Sequence, residues 1–426
     1  MSTLNRKTQP HTITPSAGII PEPVKIMLNK DVPVYLVGTG TEDLLRIEFV
    51  FDAGQVQEKL QMTASTTNEM LTEGTSLHEA IGLNEAIDYT GAVFTPVVDK
   101  DKAGIVIITL LRTIDRVLEL AAEVLYSPSF PENEFVMQID RKYQQYLTNR
   151  QKTSVVSREI FYNSLFGESP YGRITTPDDF RAISTSTLKD FHSKYYNSGS
   201  LYITVAGKDP ERALPSLEKY FSGHLTDKTN GQTGRLCSDR IKIGRHFSEV
   251  PESVQSSIRI GWKGIEKNHP DYNGLQVANT ILGGYFGSRL MKNIREEKGY
   301  TYGIGSIAGS LKYGSFISVI TDVANQYREE TIKEITKEIN KLRKREASAD
   351  EMMLVRNHMM GDLARAFDGP FAMAEALRGV LDSGLSMDYY RKLEETVKTI
   401  TPEKIKELFN TYYNPDEAII VIAGAK

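Results

Sequence analysis

Two homologous α/β sandwich domains, each a mostly antiparallel sheet with helices on one side, are what the sequence predicts: an α+β fold. Three observations carry this. The first is an internal duplication. Ser184-Thr-Ser-Thr-Leu-Lys-Asp-Phe-His-Ser-Lys-Tyr-Tyr-Asn197, followed after a short gap by Tyr202-Ile-Thr-Val-Ala-Gly207, has a counterpart from Thr401 to Gly424, with Tyr-Tyr-Asn and Ala-Gly in register. A period near half the chain means a duplicated domain, whereas one of roughly 20–50 residues would mean a solenoid. The second is length: 426 residues exceed one ordinary core. The third is order. Each half runs through strands, helices, a strand pair, more helices and a last strand after Tyr-Tyr-Asn, which suits helices layered on an antiparallel sheet.

The elements follow from local pattern. Residues 1–24 read as an extended arm. Val32 to Val37 is strand-like, and Leu45 to Phe51 alternates apolar and polar residues. Helices are expected from about Glu58 to Thr72 and Leu77 to Tyr89, then strands Ala92–Val98 and Ala103–Leu111 around the charged turn Asp99 to Lys102. Thr113 to Leu125 is a helix with Ile114, Val117, Leu118, Ala121 and Leu125 inward. Pro131-Glu-Asn-Glu134 opens a long helix, because proline suits a first turn and acids suit the positive end of the dipole. Ser157–Leu165 and Ser186–Tyr195 are further helices, and Ser200–Ala206 is a strand. The N-terminal domain therefore covers 25–220. The polar, glycine-containing stretch 221–245 reads as a flexible linker on which two half-shells open and close. The C-terminal domain covers 246–426. Arg46 to Gly54 and Ile258 to Gly264 are weaker matches between the halves, as are Tyr89-Thr-Gly and Tyr300-Thr-Tyr-Gly.

Composition excludes several classes. The hydrophobic share of 40%, charged share of 25% and net charge of −4 are those of an ordinary globular chain, with no call for nucleic acid or an anionic membrane as partner. The single cysteine, Cys237, forms no intrachain disulfide. Met1 to Gly18 lacks the apolar core of a signal peptide, and no apolar run approaches the ~18 residues of a membrane helix. The expected location is cytoplasmic, or periplasmic if a leader was removed.

The stretch Arg295-Glu-Glu-Lys-Gly-Tyr-Thr-Tyr302 follows Gly283, Gly284 and Gly287 and an amphipathic run in which Leu290, Met291 and Ile294 face inward. Gly299 suits the left-handed residue that ends a helix. Tyr300 onward reads as a strand, so Arg295 and Tyr302 flank one helix-to-strand corner. Read alone, such an arginine is solvated or paired with a nearby glutamate, and such a tyrosine packs half-buried on a sheet.

With its duplicated segments and its Phe130-Pro-Glu turn, however, the chain resembles the pitrilysin/insulinase-type zinc peptidases, especially the mitochondrial-processing-peptidase-like branch. There an arginine and a tyrosine at this spacing bind substrate backbone and stabilise the tetrahedral intermediate. The resemblance implies those roles for Arg295 and Tyr302. It also implies an H-x-x-E-H motif on a helix before a Met-Leu-x-x-Gly-Thr run, with two histidine ligands, a glutamate base and a distal glutamate ligand. Met70-Leu-Thr-Glu-Gly-Thr75 supplies the run, but Ser65 and Glu69 stand at the histidine positions and Asn68 at the base position. Gln144 and Gln145 stand near the distal position. All four are replaced, so no metal is expected in this chain.

Other chemistries are weaker. None of the seven histidines has a ligand partner at helical spacing, His78 beside Glu79 being the nearest to a candidate. His358 lies in a methionine-rich helix, which reads as core or interface. Gly283 to Gly287 lacks the Gly-Lys-Ser/Thr ending of a phosphate loop. The basic run Lys341 to Arg345 is a solvated helix face. The expectation is therefore a catalytically incomplete subunit of a heterodimeric zinc metalloendopeptidase. It needs no cofactor of its own, its zinc is expected in a homologous partner with an intact H-x-x-E-H motif, and its substrates are peptides or unfolded proteins. The alternative is a non-proteolytic structural or interaction protein of the same fold.

Overall fold

The computed structural model describes residues 20–29, 31–224 and 241–426. The N-terminal half runs β1 (Val24–Leu28), β2 (Val32–Gly38), β3 (Leu44–Phe51), α1 (Thr63–Glu69), α2 (Ala80–Thr90), β4 (Val93–Val98), β5 (Ala103–Leu110) and α3 (Ile114–Tyr126). It continues through α4 (Glu132–Arg150), α5 (Thr153–Phe166), α6 (Asp179–Ala182), α7 (Thr185–Tyr195), β6 (Tyr202–Gly207) and α8 (Leu214–Phe221). The C-terminal half runs β7 (Gly244–Glu249), β8 (Gln255–Lys263), α9 (Tyr272–Asn279), β9 (Ile304–Leu311), β10 (Gly314–Ala324) and α10 (Arg328–Lys344). It ends with α11 (Ala349–Ala366), α12 (Pro370–Leu381), α13 (Asp388–Thr399), α14 (Pro402–Tyr412) and β11 (Ile419–Gly424).

The strand orders are β1-β2-β6-β3-β5-β4 and β7-β11-β8-β10-β9. Five strands in each half thus follow one plan, and β1 is an addition that hydropathy alone did not mark. Only β2–β6 and β7–β11 pair in parallel among the described residues. The duplicated segments occupy equivalent places. Ser184 and Thr401 both cap a helix, their hydroxyls accepting from the amides of Thr187 and Lys404. Directly after each helix, the buried Tyr196 and Tyr413 donate to Asn68 Oδ1 (2.8 Å) and Asn279 Oδ1 (3.3 Å).

Helices on one side of each sheet turn out to be half of the arrangement. In β3 the residues Leu45, Ile47, Phe49, Val50, Phe51 and Glu48 are all buried, because the second face of each sheet is covered by a helix from the other half. Helix α5 lies on β8 and β11, where Phe161, Leu165 and Phe166 pack with Ile419 and Val421. A Cβ at Gly261 would sit 2.5 Å from Phe161 Cζ, so β8 needs glycine there to admit the ring. Reciprocally, α12 lies on β6 and β2, with Met373, Ala374, Leu377 and Val380 against Val37 and Ala206. The polar contacts mirror each other too. Arg46 of β3 reaches Glu375 on α12 (2.8 Å), and Arg259 of β8 reaches Ser157 on α5 (3.2 Å).

Each half would therefore lose a buried helix contact on separating from the other. Fully burying each large apolar side chain contributes about 1.5–3 kcal/mol. Of the expected linker, Phe221 ends α8 and Gly244 opens β7. Residues 225–240, with Cys237, and residues 1–19 of the expected arm lie outside the described residues, while Val24 already opens β1. No helix among the described residues is long and apolar enough to cross a membrane.

Candidate functional site

The corner at Arg295 is built by a π-helical turn, Met291–Glu297, in which Met291, Asn293 and Ile294 are buried. Asn293 anchors the turn by donating to Glu334 (2.9 Å) and Glu338 (2.6 Å) of α10. Gly299, with φ 66°, takes the left-handed position expected of it. The amide of Lys298 bonds back to Asn293 O (3.0 Å) and that of Tyr300 to Ile294 O (3.0 Å), closing the wide turn. Such π-turns are uncommon and often mark functional sites.

The strand begins at Ile304 rather than Tyr300. Between them, the Thr301 hydroxyl donates to Asp322 O (2.7 Å) and Gly303 O (2.9 Å), and Thr321 donates to Thr301 Oγ1 (3.0 Å). These bonds replace strand pairing and hold Thr301 inward. Tyr302, next in the chain, is 90% exposed. Its phenol has no hydrogen-bond partner among the described residues, so it is not the half-buried packing residue that the strand pattern suggested. Arg295 is half-buried with its guanidinium 4.6 Å from the centre of the Phe286 ring, a cation–π contact. It forms no ion pair with Glu296 or Glu297 or with any other described residue.

Helix α1 carries Ser65, Asn68 and Glu69 in a different setting. Asn68 is fully buried and accepts from Tyr196, while its own amide nitrogen has no partner among the described residues. Glu69 is claimed by α4, where Lys142 Nζ lies 2.8 Å from Glu69 Oε1 and Gln138 donates to Glu69 Oε2. Lys142 Nζ also reaches Ser65 Oγ (3.2 Å). Gln144 and Gln145 are exposed, and Gln145 donates to Asn149 on its own helix. The α4 positions that face α1 are therefore Gln138 and Lys142, one helical turn apart; the expected distal pair sits on another face. Burial raises the carboxyl of nearby Glu73, and Glu134 and Glu69 add to the effect.

A zinc ion, implied by the family resemblance, does not fit these side chains. The set offers a hydroxyl, an amide and one carboxylate already neutralised by an ammonium, whereas zinc takes imidazole, thiolate and free carboxylate. Among the described residues no three His, Cys, Asp or Glu side chains gather into a metal-binding group.

Remaining candidates are structural. His78 Nδ1 lies 2.7 Å from Glu123, which Thr75 also contacts, so this dyad ties the loop after α1 to α3. His358 stacks on Tyr285 at 4.9 Å and pairs with Asp362 at 3.1 Å. Glu58, unnoticed in the sequence, is buried and accepts from the Ala64 amide (3.1 Å) at the start of α1. Burial pushes its carboxyl up to about 7.

Residues 182–359, which include the Arg295 corner, match the sequence profile of the peptidase M16 inactive domain. An uncharacterized zinc protease of Rickettsia felis is 23% identical over 347 residues, 80% of this chain and 82% of that protein. The uncharacterized zinc protease YmxG of Bacillus subtilis is 23% identical over 270 residues, 62% of this chain and 65% of that protein. In fold, the chain is similar to a peptidase M16 inactive domain from Pseudomonas fluorescens, with a TM-score of 0.87 at 23% identity, covering 95% of this chain and 98% of that one. It is also similar to a protease from Helicobacter pylori, with a TM-score of 0.88 at 18% identity, covering 95% of this chain and 100% of that one.

Proposed function

We propose that this chain, similar in sequence and fold to pitrilysin/insulinase-type (M16) peptidases, is the non-metal subunit of a heterodimeric zinc endopeptidase of the mitochondrial-processing-peptidase-like branch. Its partner is a homologous chain with an intact H-x-x-E-H motif, which holds the zinc and the general base. This chain contributes Arg295, which anchors substrate backbone, and Tyr302, which donates its phenolic hydrogen to oxyanion charge as it develops. Substrates are peptides or unfolded segments able to lie extended between the two chains. No metal and no cofactor is held by this chain.

The observation that supports this most is the state of Tyr302. A free phenol, 90% exposed, is carried on a backbone fixed by the bonds of Thr301, on the same corner as a guanidinium seated on an aromatic face. Tyr89 is exposed as well, at 95%, so it is the neighbouring arginine on its aromatic face that sets the Tyr302 corner apart. A donor aimed at an oxyanion contributes about 10²–10³ in kcat.

The test is purification of the native assembly followed by metal analysis and peptide cleavage. The expected result is a second chain bearing H-x-x-E-H, roughly one zinc per pair, and hydrolysis that neither chain performs alone. An assembly without such a partner, or a pair that does not hydrolyse peptides, overturns the proposal in favour of the scaffold reading.

A further inference from the structure

We infer that Lys142 is this chain's built-in replacement for a metal ion: its ammonium group bridges α1 and α4 at the point where the two replaced histidine positions converge, and it bars a divalent cation from that point. Ser65 and Glu69 stand one helical turn apart on one face of α1. A single nitrogen, Lys142 Nζ, lies 3.2 Å from Ser65 Oγ and 2.8 Å from Glu69 Oε1. One fixed cation thus touches both positions at once, as a metal would.

The rest of the cluster suits an ammonium and not a metal. Gln138, one turn before Lys142, donates to the second oxygen of Glu69, so both oxygens of that carboxylate are engaged. The lysine side chain is only 18% exposed, so its charge is poorly screened by solvent. A lysine supplies a compact positive charge with three donors on a long stem, enough to reach across two helices. An exposed interhelical ion pair would satisfy Glu69 alone; the simultaneous contact to Ser65 sets this arrangement apart. The inference concerns the N-terminal half and stands whether or not the Arg295 corner serves a partner's zinc.

The experiment uses the full chain and cobalt(II) alone, whose visible absorption reports tetrahedral ligation. The variant S65H/N68E/E69H is compared with the same variant carrying K142M, which removes the charge and adds no ligand. The expected result is a cobalt affinity roughly 10-fold or more tighter once Lys142 is gone. Equal affinity in the two variants overturns the inference. If neither takes up cobalt, a thermal-denaturation cycle on the unmodified background decides. K142M and E69Q should each lower the melting temperature, with the double variant little worse than the worse single one. Additive or absent shifts overturn the bridging role.

Discussion

Helices α1 and α9 are the same element in two copies, and they differ in how their polar residues are satisfied. Each carries an asparagine that a buried tyrosine holds: Asn68 under Tyr196, Asn279 under Tyr413. In the C-terminal half the knot is complete, since Asn279 also donates to Ser306 O (2.8 Å) and accepts from the Ser306 hydroxyl. In the N-terminal half the amide nitrogen of Asn68 is buried without a partner among the described residues. The base position of the family motif thus holds the structural residue of the other copy, without the neighbour that completes it. Downstream the contrast reverses. Both corners turn on a left-handed glycine, Gly91 at φ 69° and Gly299 at φ 66°. The first also has an exposed tyrosine, Tyr89 at 95%, but among the described residues only the second adds an arginine on an aromatic face. One frame thus has two forms: an N-terminal helix tied to α4 through Lys142, and a C-terminal corner at which Tyr302 is exposed.

The largest expected effects probe whether the halves act as one body. Phe161→Ala in α5 and Leu377→Ala in α12 each empty a buried interlock site, costing about 3–5 and 2–5 kcal/mol respectively. Calorimetry of either variant should show one cooperative transition at lower temperature. Two separated transitions would mean that the halves melt independently and that the reciprocal helices do not couple them.

A second contrast is in pH. Burial raises Glu58, which accepts from the first turn of α1, from 4.5 to about 7. Its protonated form is favoured in the folded chain, so its contribution is full below the ordinary carboxylate value and is lost as pH rises through about 7. Asp271 precedes α9 and behaves oppositely. Burial pushes it up, but the Tyr412 hydroxyl and Lys404 together hold it below its ordinary value. Its contribution is present above the ordinary aspartate range and is lost as pH falls through its lowered value. Denaturant titrations should therefore show the stability of wild type relative to Glu58→Gln falling by up to ~3 kcal/mol as pH rises from 4.5 to about 7. Wild type relative to Asp271→Asn should instead lose stability toward acid. Equal pH profiles for wild type and Glu58→Gln would contradict the first assignment.

The smallest effect separates the two asparagine knots. Tyr196→Phe leaves both ends of Asn68 unpaired and should cost about 1–3 kcal/mol. Tyr413→Phe should cost less, about 1 kcal/mol, because Ser306 still serves Asn279. A reversed order in denaturant melts would undo the comparison.

Much of this frame was legible because duplication wrote it twice. The Tyr-Tyr-Asn segments announce equivalent helix–strand units, and Ile114, Val117, Leu118, Ala121 and Leu125 mark the inner face of α3, where all are buried. What stayed hidden depends on contacts between distant residues. Nothing near Phe161 says that its ring will rest on Gly261, so sheets covered on both faces read as sheets covered on one. The strand at Tyr300 was misplaced because the alternation there looks extended, while the hydroxyls of Thr301 and Thr321 impose a different local path. Sequence gives helix α4 but not its rotation, so Gln144 and Gln145 read as the inward pair where the structure turns Gln138 and Lys142 toward α1.

The central claim is tested most directly at Tyr302. With the partner chain reconstituted, Tyr302→Phe should lower kcat for peptide hydrolysis by about 10²–10³, while assembly and the partner's zinc content stay unchanged. An assembled, zinc-loaded pair that cleaves peptide at the wild-type rate with Phe at this position would contradict the account.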